Sequence, residues 1–115
     1  MKKTNGLKNI FIINDTRRDS AHLGCKIVMQ NLLKLCDKYN FNILGLEKNI
    51  SEDFDKEDFK NKINNVDFII VNGEGTLHDN AGEGIYSRVK IAKDLKKSVF
   101  LINAVWQNNN LTKNI

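Results

Sequence analysis

Four short apolar runs alternate along the chain with segments of helical periodicity. The runs cover residues 9–13, 41–46, 68–71 and 98–104, and they are rich in Ile, Val, Phe and Leu. Uninterrupted runs of this kind are typical of strands that are buried on both faces of a sheet. The chain is therefore predicted to contain four strands.

Between these strands, apolar residues recur at three- and four-residue steps, which predicts three helices. The first is predicted from a cap at Asp19 or Ser20 to about Lys38. Its apolar stripe is formed by Cys25, Val28, Met29, Leu32, Leu35, Cys36 and Tyr39. The second is predicted near residues 55–64, with its buried side formed by Phe54, Phe59 and Ile63. The third is predicted over residues 83–97, with its apolar face formed by Ile85, Val89, Ala92 and Leu95.

Strands that alternate with helices predict β-α-β units, and hence a parallel sheet with right-handed crossovers. We predict an α/β fold: a Rossmann-like three-layer sandwich with a four-stranded parallel sheet in the order 2-1-3-4. The 115 residues suit a single domain, 1–115. The order in which the strands are added reverses between the first and third strands. Their connections therefore leave in opposite directions, and a crevice opens above the carboxyl ends of these two strands.

Polar segments follow three of the strands where this crevice is expected. They cover residues 14–20, 72–80 and 103–107. In the second segment, Gly73 and Gly75 allow positive φ angles and let another molecule approach the main chain closely. Three segments that are far apart in sequence thus converge at one place, which predicts a ligand site there.

Composition and charge narrow the classes of function. The net charge is +4, and the lysines are scattered instead of forming a stripe, so we expect no nucleic-acid partner. Cys25 and Cys36 are eleven positions apart on one predicted helix. At ~1.5 Å rise per residue they lie ~16 Å apart and cannot bridge each other. With no signal peptide and no apolar run of membrane-spanning length, we expect a cytoplasmic protein.

Metal and cofactor motifs are weak in this sequence. His22 and Cys25, with His78 and Asp79, offer metal-ligating atoms, but they lack CxxC or HExxH spacing. Gly73-Glu74-Gly75 is superficially like a dinucleotide fingerprint, yet His78 stands where the third glycine belongs and the segment follows the third strand. We therefore expect neither a metal nor a cofactor.

Two residues have alternative interpretations that the sequence leaves open. Asp15 ends the first strand, so it is either a base in the crevice or a loop carboxylate that caps the following helix. Trp106 either stacks on the face of a sugar or packs in the core, which is the commoner fate of a lone tryptophan.

The polar strand ends also have unusual residue choices. They read Asn14-Asp15-Thr16 with His22-Leu23-Gly24-Cys25, then Val71-Asn72-Gly73-Glu74-Gly75-Thr76-Leu77-His78, then Leu101-Ile102-Asn103-Ala104-Val105-Trp106-Gln107. Together they resemble the amino-terminal half of the polysaccharide pyruvyl transferase family. The resemblance covers residues 9–107, and the glycine-rich turn and the last segment are its most specific parts.

This resemblance implies one half of a GT-B-like architecture and a transferase activity in the biosynthesis of bacterial surface polysaccharide. The enzyme would move a pyruvyl group from phosphoenolpyruvate to a sugar hydroxyl, which requires a proton donor, a base and cations for the donor. The candidate catalytic residues are Asp15, His22, Glu74 and His78. The candidate substrate-binding residues are Asn14, Arg17, Gly24, Asn72, Gly73, Gly75, Thr76, Asp79, Asn103, Trp106 and Gln107.

Members of this family are much longer, and their carboxyl-terminal half supplies most basic residues for the phosphoenolpyruvate donor. We therefore expect the 115-residue chain to be a truncated domain, a fragment or one half of a split protein, with little or no activity alone. The alternative functions are a non-catalytic sugar- or nucleotide-binding α/β domain, or half of a nucleotide-sugar glycosyltransferase.

The fourth strand bears on assembly. It is expected at a sheet edge and carries no charged residue, so we predict self-association or a partner chain. In the alternative, the tail folds back over this edge, with Leu111 and Ile115 as anchors.

Overall fold

The computed structural model describes residues 7–16, 23–48, 50–73 and 82–103, with only the main chain for residues 23–25. Strands and helices alternate along them, as the sequence predicts. In chain order they are β1 (Asn9–Ile13), α1 (Leu23–Lys38), β2 (Asn42–Glu47), α2 (Lys56–Ile63), β3 (Phe68–Asn72), α3 (Glu83–Asp94) and β4 (Ser98–Ile102).

The strands form one sheet in the order β2-β1-β3-β4, and every pair is parallel. This confirms the predicted order. Ile13 is in register with Val71, and Asn72 is in register with Ile102. The carboxyl ends of β1, β3 and β4 therefore lie side by side at one edge of the sheet, where the order reverses.

The helices cover both faces of the sheet, so the predicted three layers are confirmed. On one face, α1 packs through Met29, Leu32 and Cys36 on Ile10 and Ile12. On the other face, α2 and α3 pack on side chains of β1 and β3, and this cluster contains Phe11, Ile13, Phe59, Ile63, Val66, Ile69, Val71, Ile85 and Ala92. The first crossover and the later ones run in opposite directions across the sheet, so right-handed connections require helices on opposite faces.

Some predicted details are wrong. Leu35 and Tyr39 are 52% and 60% exposed, because the buried line of α1 runs through Met29, Leu32 and Cys36. The third helix ends at Asp94 instead of residue 97. There Lys96 adopts a left-handed φ of 62°, and the amide of Lys97 donates to the carbonyl of Ala92.

The strand ends also differ slightly from the prediction. β2 covers Asn42–Glu47, one residue later than predicted, and β4 stops at Ile102. The next residue, Asn103, has a left-handed φ of 55°, which is incompatible with extended strand geometry.

Two further properties concern the helices. Desolvation by burial raises the pKa of the Cys36 thiol, so this side chain acts as a small apolar group in the core. Within the described ranges, no helix is both long and apolar enough to cross a membrane.

Candidate functional site

Three asparagines mark the carboxyl ends of three neighbouring strands. Asn14 follows β1, Asn72 ends β3 and Asn103 follows β4, and the first two are fully buried. Asn14 Nδ2 donates to the carbonyl oxygen of Asn72 at 2.7 Å, and Asn72 Nδ2 donates to the carbonyl oxygen of Asn14 at 3.3 Å. This reciprocal pair, here called the asparagine clasp, joins the ends of β1 and β3.

The clasp is extended to the neighbouring strand and helix. Asn103 Nδ2 donates to Asn72 Oδ1 at 3.3 Å, and Asn72 Nδ2 also approaches Met29 Sδ of α1 at 3.3 Å. Asn14 and Asn103 have φ angles of 73° and 55°, in the left-handed region that asparagine tolerates better than most residues. Asparagine thus both turns the chain at a strand end and supplies the polar side chain.

An aspartate directly follows Asn14 of the clasp in the chain. Asp15 is fully buried and Thr16 is nearly so. The amides of Asn14 and Asp15 both donate to the carbonyl oxygen of Glu47, at 2.8 and 2.9 Å, so the end of β2 fixes the main chain here. Burying an ionised carboxylate without partners is costly. A buried aspartate is therefore expected to be held in place by polar groups around it.

The glycine that ends the described part of the third strand is also held in the sheet. Gly73 is buried, and its amide donates to the carbonyl oxygen of Ile102 at 2.8 Å, which extends the pairing of β3 with β4 by one residue. Gly24 lies near the start of the described part of α1. The predicted convergence of the first and second polar segments is thus seen at their first residues.

Sequence reasoning missed an ion pair beside this cluster. Arg88 of α3 is 1% exposed, and its Nε donates to Glu47 Oε1 at 2.7 Å. A sequence clue was present, because Arg88 lies three positions after Ile85 and four before Ala92, on the apolar face of α3. A charged residue on such a face indicates a buried partner.

The structure brings five of the predicted site residues to one edge: Asn14, Asp15, Asn72, Gly73 and Asn103. Nine others lie outside the described residues: Arg17, His22, Glu74, Gly75, Thr76, His78, Asp79, Trp106 and Gln107. Within the described ranges, no group of three or more His, Cys, Asp or Glu residues is placed to hold a metal ion. The described edge carries carbonyl, amide and carboxylate groups of the kinds that bind hydroxyls, and the Nδ2 groups of its three asparagines donate within the clasp.

No family model, curated protein or solved structure matches the chain.

Proposed function

We propose that the chain carries the sugar-acceptor side of a pyruvyl transferase that acts in bacterial surface polysaccharide biosynthesis, as one half of a GT-B-like architecture. The observation that carries the proposal is the buried aspartate Asp15, which directly follows Asn14 of the asparagine clasp at the point where the strand order of the sheet reverses. Open α/β sheets bind ligands at this point. The same residues belong to the segments that resemble the pyruvyl transferase family.

The chemistry assigns a role to each kind of group. A proton adds to the methylene carbon of phosphoenolpyruvate, a sugar oxygen bonds to the adjacent carbon, and phosphate leaves with its bonding electrons. A second sugar hydroxyl then closes the ketal, and each attacking hydroxyl loses its proton to a base. Asp15 is proposed as this base, and Asn14, Asn72 and Asn103 as hydrogen-bonding groups for the sugar.

The donor side of the reaction needs an acid and cations. By resemblance, we propose His22 or His78 as the acid, with Glu74 as a second carboxylate, and Arg17 as a cation for the phosphoenolpyruvate anion. In the family the donor is held mainly by the carboxyl-terminal half. The 115-residue chain alone is therefore expected to bind the acceptor and to release phosphate slowly or not at all.

The test measures binding and turnover separately. Methyl glycosides of galactose and glucose are titrated while the amide signals of Asn14, Asn72 and Asn103 are followed by NMR, and phosphate release from phosphoenolpyruvate is assayed in parallel. We expect saturable shifts at these amides. Asp15→Asn should weaken binding about tenfold, as the loss of one charge-assisted hydrogen bond would. Asp94→Asn, an exposed carboxylate at the end of α3, is the matched control.

Two outcomes would contradict parts of this proposal. If neither glycoside shifts the clasp amides, the acceptor role fails. Phosphate release at about 1 per second or faster from the chain alone would show that the donor site is complete without a second half.

A second candidate is a non-catalytic sugar- or nucleotide-binding domain. It is favoured by the asparagine clasp, because neutral amides at this edge can bind polar groups but cannot act as a base. Saturable sugar binding that is unaffected by Asp15→Asn and by phosphoenolpyruvate would support it. Binding of a nucleotide sugar but not of the free glycosides would support half of a glycosyltransferase.

A further inference from the structure

We infer that Arg88 and Glu47 are positioning residues that set the main chain of Asn14 and Asp15 at the candidate site. The inference begins with an unusual arginine. Arg88 lies in the middle of α3 on its apolar face and is 1% exposed. Arginine is almost never buried unless its guanidinium is paired, so its contacts define its role.

The guanidinium ties α3 to a segment about forty residues earlier in the chain, which comprises the end of β2 and the loop that follows it. Besides the 2.7 Å bond from Nε to Glu47 Oε1, one terminal nitrogen donates to the carbonyl oxygens of Ser51 and Gly84, each at 2.8 Å. The centre of the guanidinium also lies 4.0 Å from the centroid of the Phe54 ring. Arg88 thus joins the end of β2, the loop that follows β2 and the first turn of α3.

The loop after β2 is pressed closely against α3 at the same place. A Cβ atom built at Gly84 would collide with the carbonyl oxygen of Ile50 and lie 3.0 Å from the carbonyl carbon of Ser51. Both neighbours are main-chain atoms, so neither can move aside cheaply. Gly84 therefore permits a contact that any larger residue would prevent, and this contact delivers the Ser51 carbonyl to Arg88.

The connection to the candidate site passes through Glu47. Its side chain is held by Arg88, and its carbonyl oxygen accepts the amides of Asn14 and Asp15. β2 is an edge strand of the sheet, with β1 as its neighbour. The side chain of Glu47 is 16% exposed. Without Arg88, its carboxylate would turn towards water, and the main chain at the end of β2 would move with it.

A purely stabilising role explains this arrangement less well. The attraction in a buried ion pair is largely offset by the desolvation of both groups, so such pairs are a weak source of net stability. Their geometry is nevertheless strict, since the planar guanidinium fixes the positions of its acceptors. The consequence for the site is a fixed strand end, whose Glu47 carbonyl accepts the amides of Asn14 and Asp15 and holds their main chain in one orientation.

Arg88→Met tests the inference, because methionine keeps much of the apolar stem and removes the guanidinium. The matched control is Lys97→Met. Lys97 Nζ also donates to two main-chain carbonyls, those of Asn64 and Val66, but near the amino ends of β3 and β4. Both substitutions remove a cation that crosslinks segments, so both should lower stability.

The measurement is amide hydrogen exchange by NMR under native conditions, expressed relative to the amide of Ile12 in β1. Arg88→Met should accelerate exchange at Asn14 and Asp15 by about tenfold relative to Ile12, whereas Lys97→Met should leave both ratios unchanged. Equal ratios in the two variants would overturn the inference. If Arg88→Met does not fold, Arg88→Lys is used, because it keeps the charge but removes the planar guanidinium. Arg88→Lys should show a smaller selective acceleration of exchange at Asn14 and Asp15. The absence of any selective change in this variant would also overturn the inference.

A binding arm extends the test and rests on the proposed function. Titration with the methyl glycosides should give severalfold weaker binding for Arg88→Met than for Lys97→Met. If the wild-type chain binds no glycoside, the proposed function fails, and the exchange ratios still decide whether Arg88 positions Asn14 and Asp15. If binding is equal in the two variants while exchange differs, the positioning has no effect on the ligand and the functional part of the inference is wrong.

Discussion

At the scale of single residues, the side chain of Asn72 connects three neighbouring elements at the candidate site. Its Nδ2 donates to the carbonyl of Asn14 and approaches the sulfur of Met29, and its Oδ1 accepts from Asn103. An amide is suited to this place because it offers a donor and an acceptor on one small planar group. Aspartate has nearly the same shape but offers no donor when it is ionised.

Asn72→Asp is therefore expected to destabilise the fold by about 2–3 kcal/mol at neutral pH, the cost of a buried acceptor that faces other acceptors. The folded-state pKa of the new carboxyl should rise above its unfolded value, so the loss should shrink as the pH falls and the group becomes protonated. Urea unfolding at about pH 7 and about pH 4 measures both effects. Asn65→Asp, at an exposed position, is the control, and a loss of equal size at both pH values would contradict the explanation.

At the scale of elements, the loop after β2 is attached to the first turn of α3 by more than Arg88. A side-chain hydrogen bond to Glu83 and the charge of that residue raise the pKa of Glu52. Two exposed carboxyl groups thus share a proton across the junction at acid pH and repel each other when both are ionised. The contact between the loop after β2 and the first turn of α3, which supports Arg88 and Glu47, should therefore be more stable at low pH.

The sign of the resulting pH dependence follows from the direction of the shift. Because the folded-state pKa of Glu52 is raised, its contribution to stability is present below its unfolded pKa and is lost as pH rises through the folded pKa. Glutamine keeps a donor to Glu83 at every pH. Glu52→Gln should therefore raise the melting temperature relative to the wild type at about pH 8 more than at about pH 4. Asp53→Asn is the control, and a shift that does not depend on pH would refute the shared proton.

At the scale of the whole molecule, the two edges of the sheet differ. The pairing of β2 with β1 shifts register between Ile10 and Phe11, so Leu44 sits at an irregularity of the kind that discourages further pairing. β4 pairs with β3 in continuous register, and its exposed residues Phe100 and Leu101 are uncharged. The β4 edge is thus the more open of the two to another strand.

We therefore expect the chain to self-associate at micromolar concentration through the β4 edge. Leu101→Lys should shift the protein to monomer, because it places a charge on this edge, whereas Leu44→Lys on the β2 edge should have little effect. Sedimentation velocity measures both. A wild-type monomer in which Trp106 already fluoresces as a buried indole would contradict the prediction and would favour the folded-back tail.

Local patterns in the sequence determined the strands and the helices, and they predict the place of the candidate site. Apolar runs and helical periodicity reflect the preferences of short segments, and the general rules for parallel sheets then give the order 2-1-3-4. Polar residues at strand ends gave Asn14, Asp15, Asn72 and Asn103, since parallel register brings such ends together. The exposure of Leu35 was predicted wrongly, because periodicity does not show how far the sheet extends beneath a helix.

Only the tertiary structure decided which side chains meet. The asparagine clasp joins residues 58 positions apart, and the bond between Arg88 and Glu47 joins residues 41 positions apart. Such pairs depend on strand register and on the close contact of a loop with Gly84, and neither leaves a periodic trace in the chain. The sequence therefore predicts a candidate site at the carboxyl ends of the strands, while packing between distant segments decided how the Asp15 turn is held there.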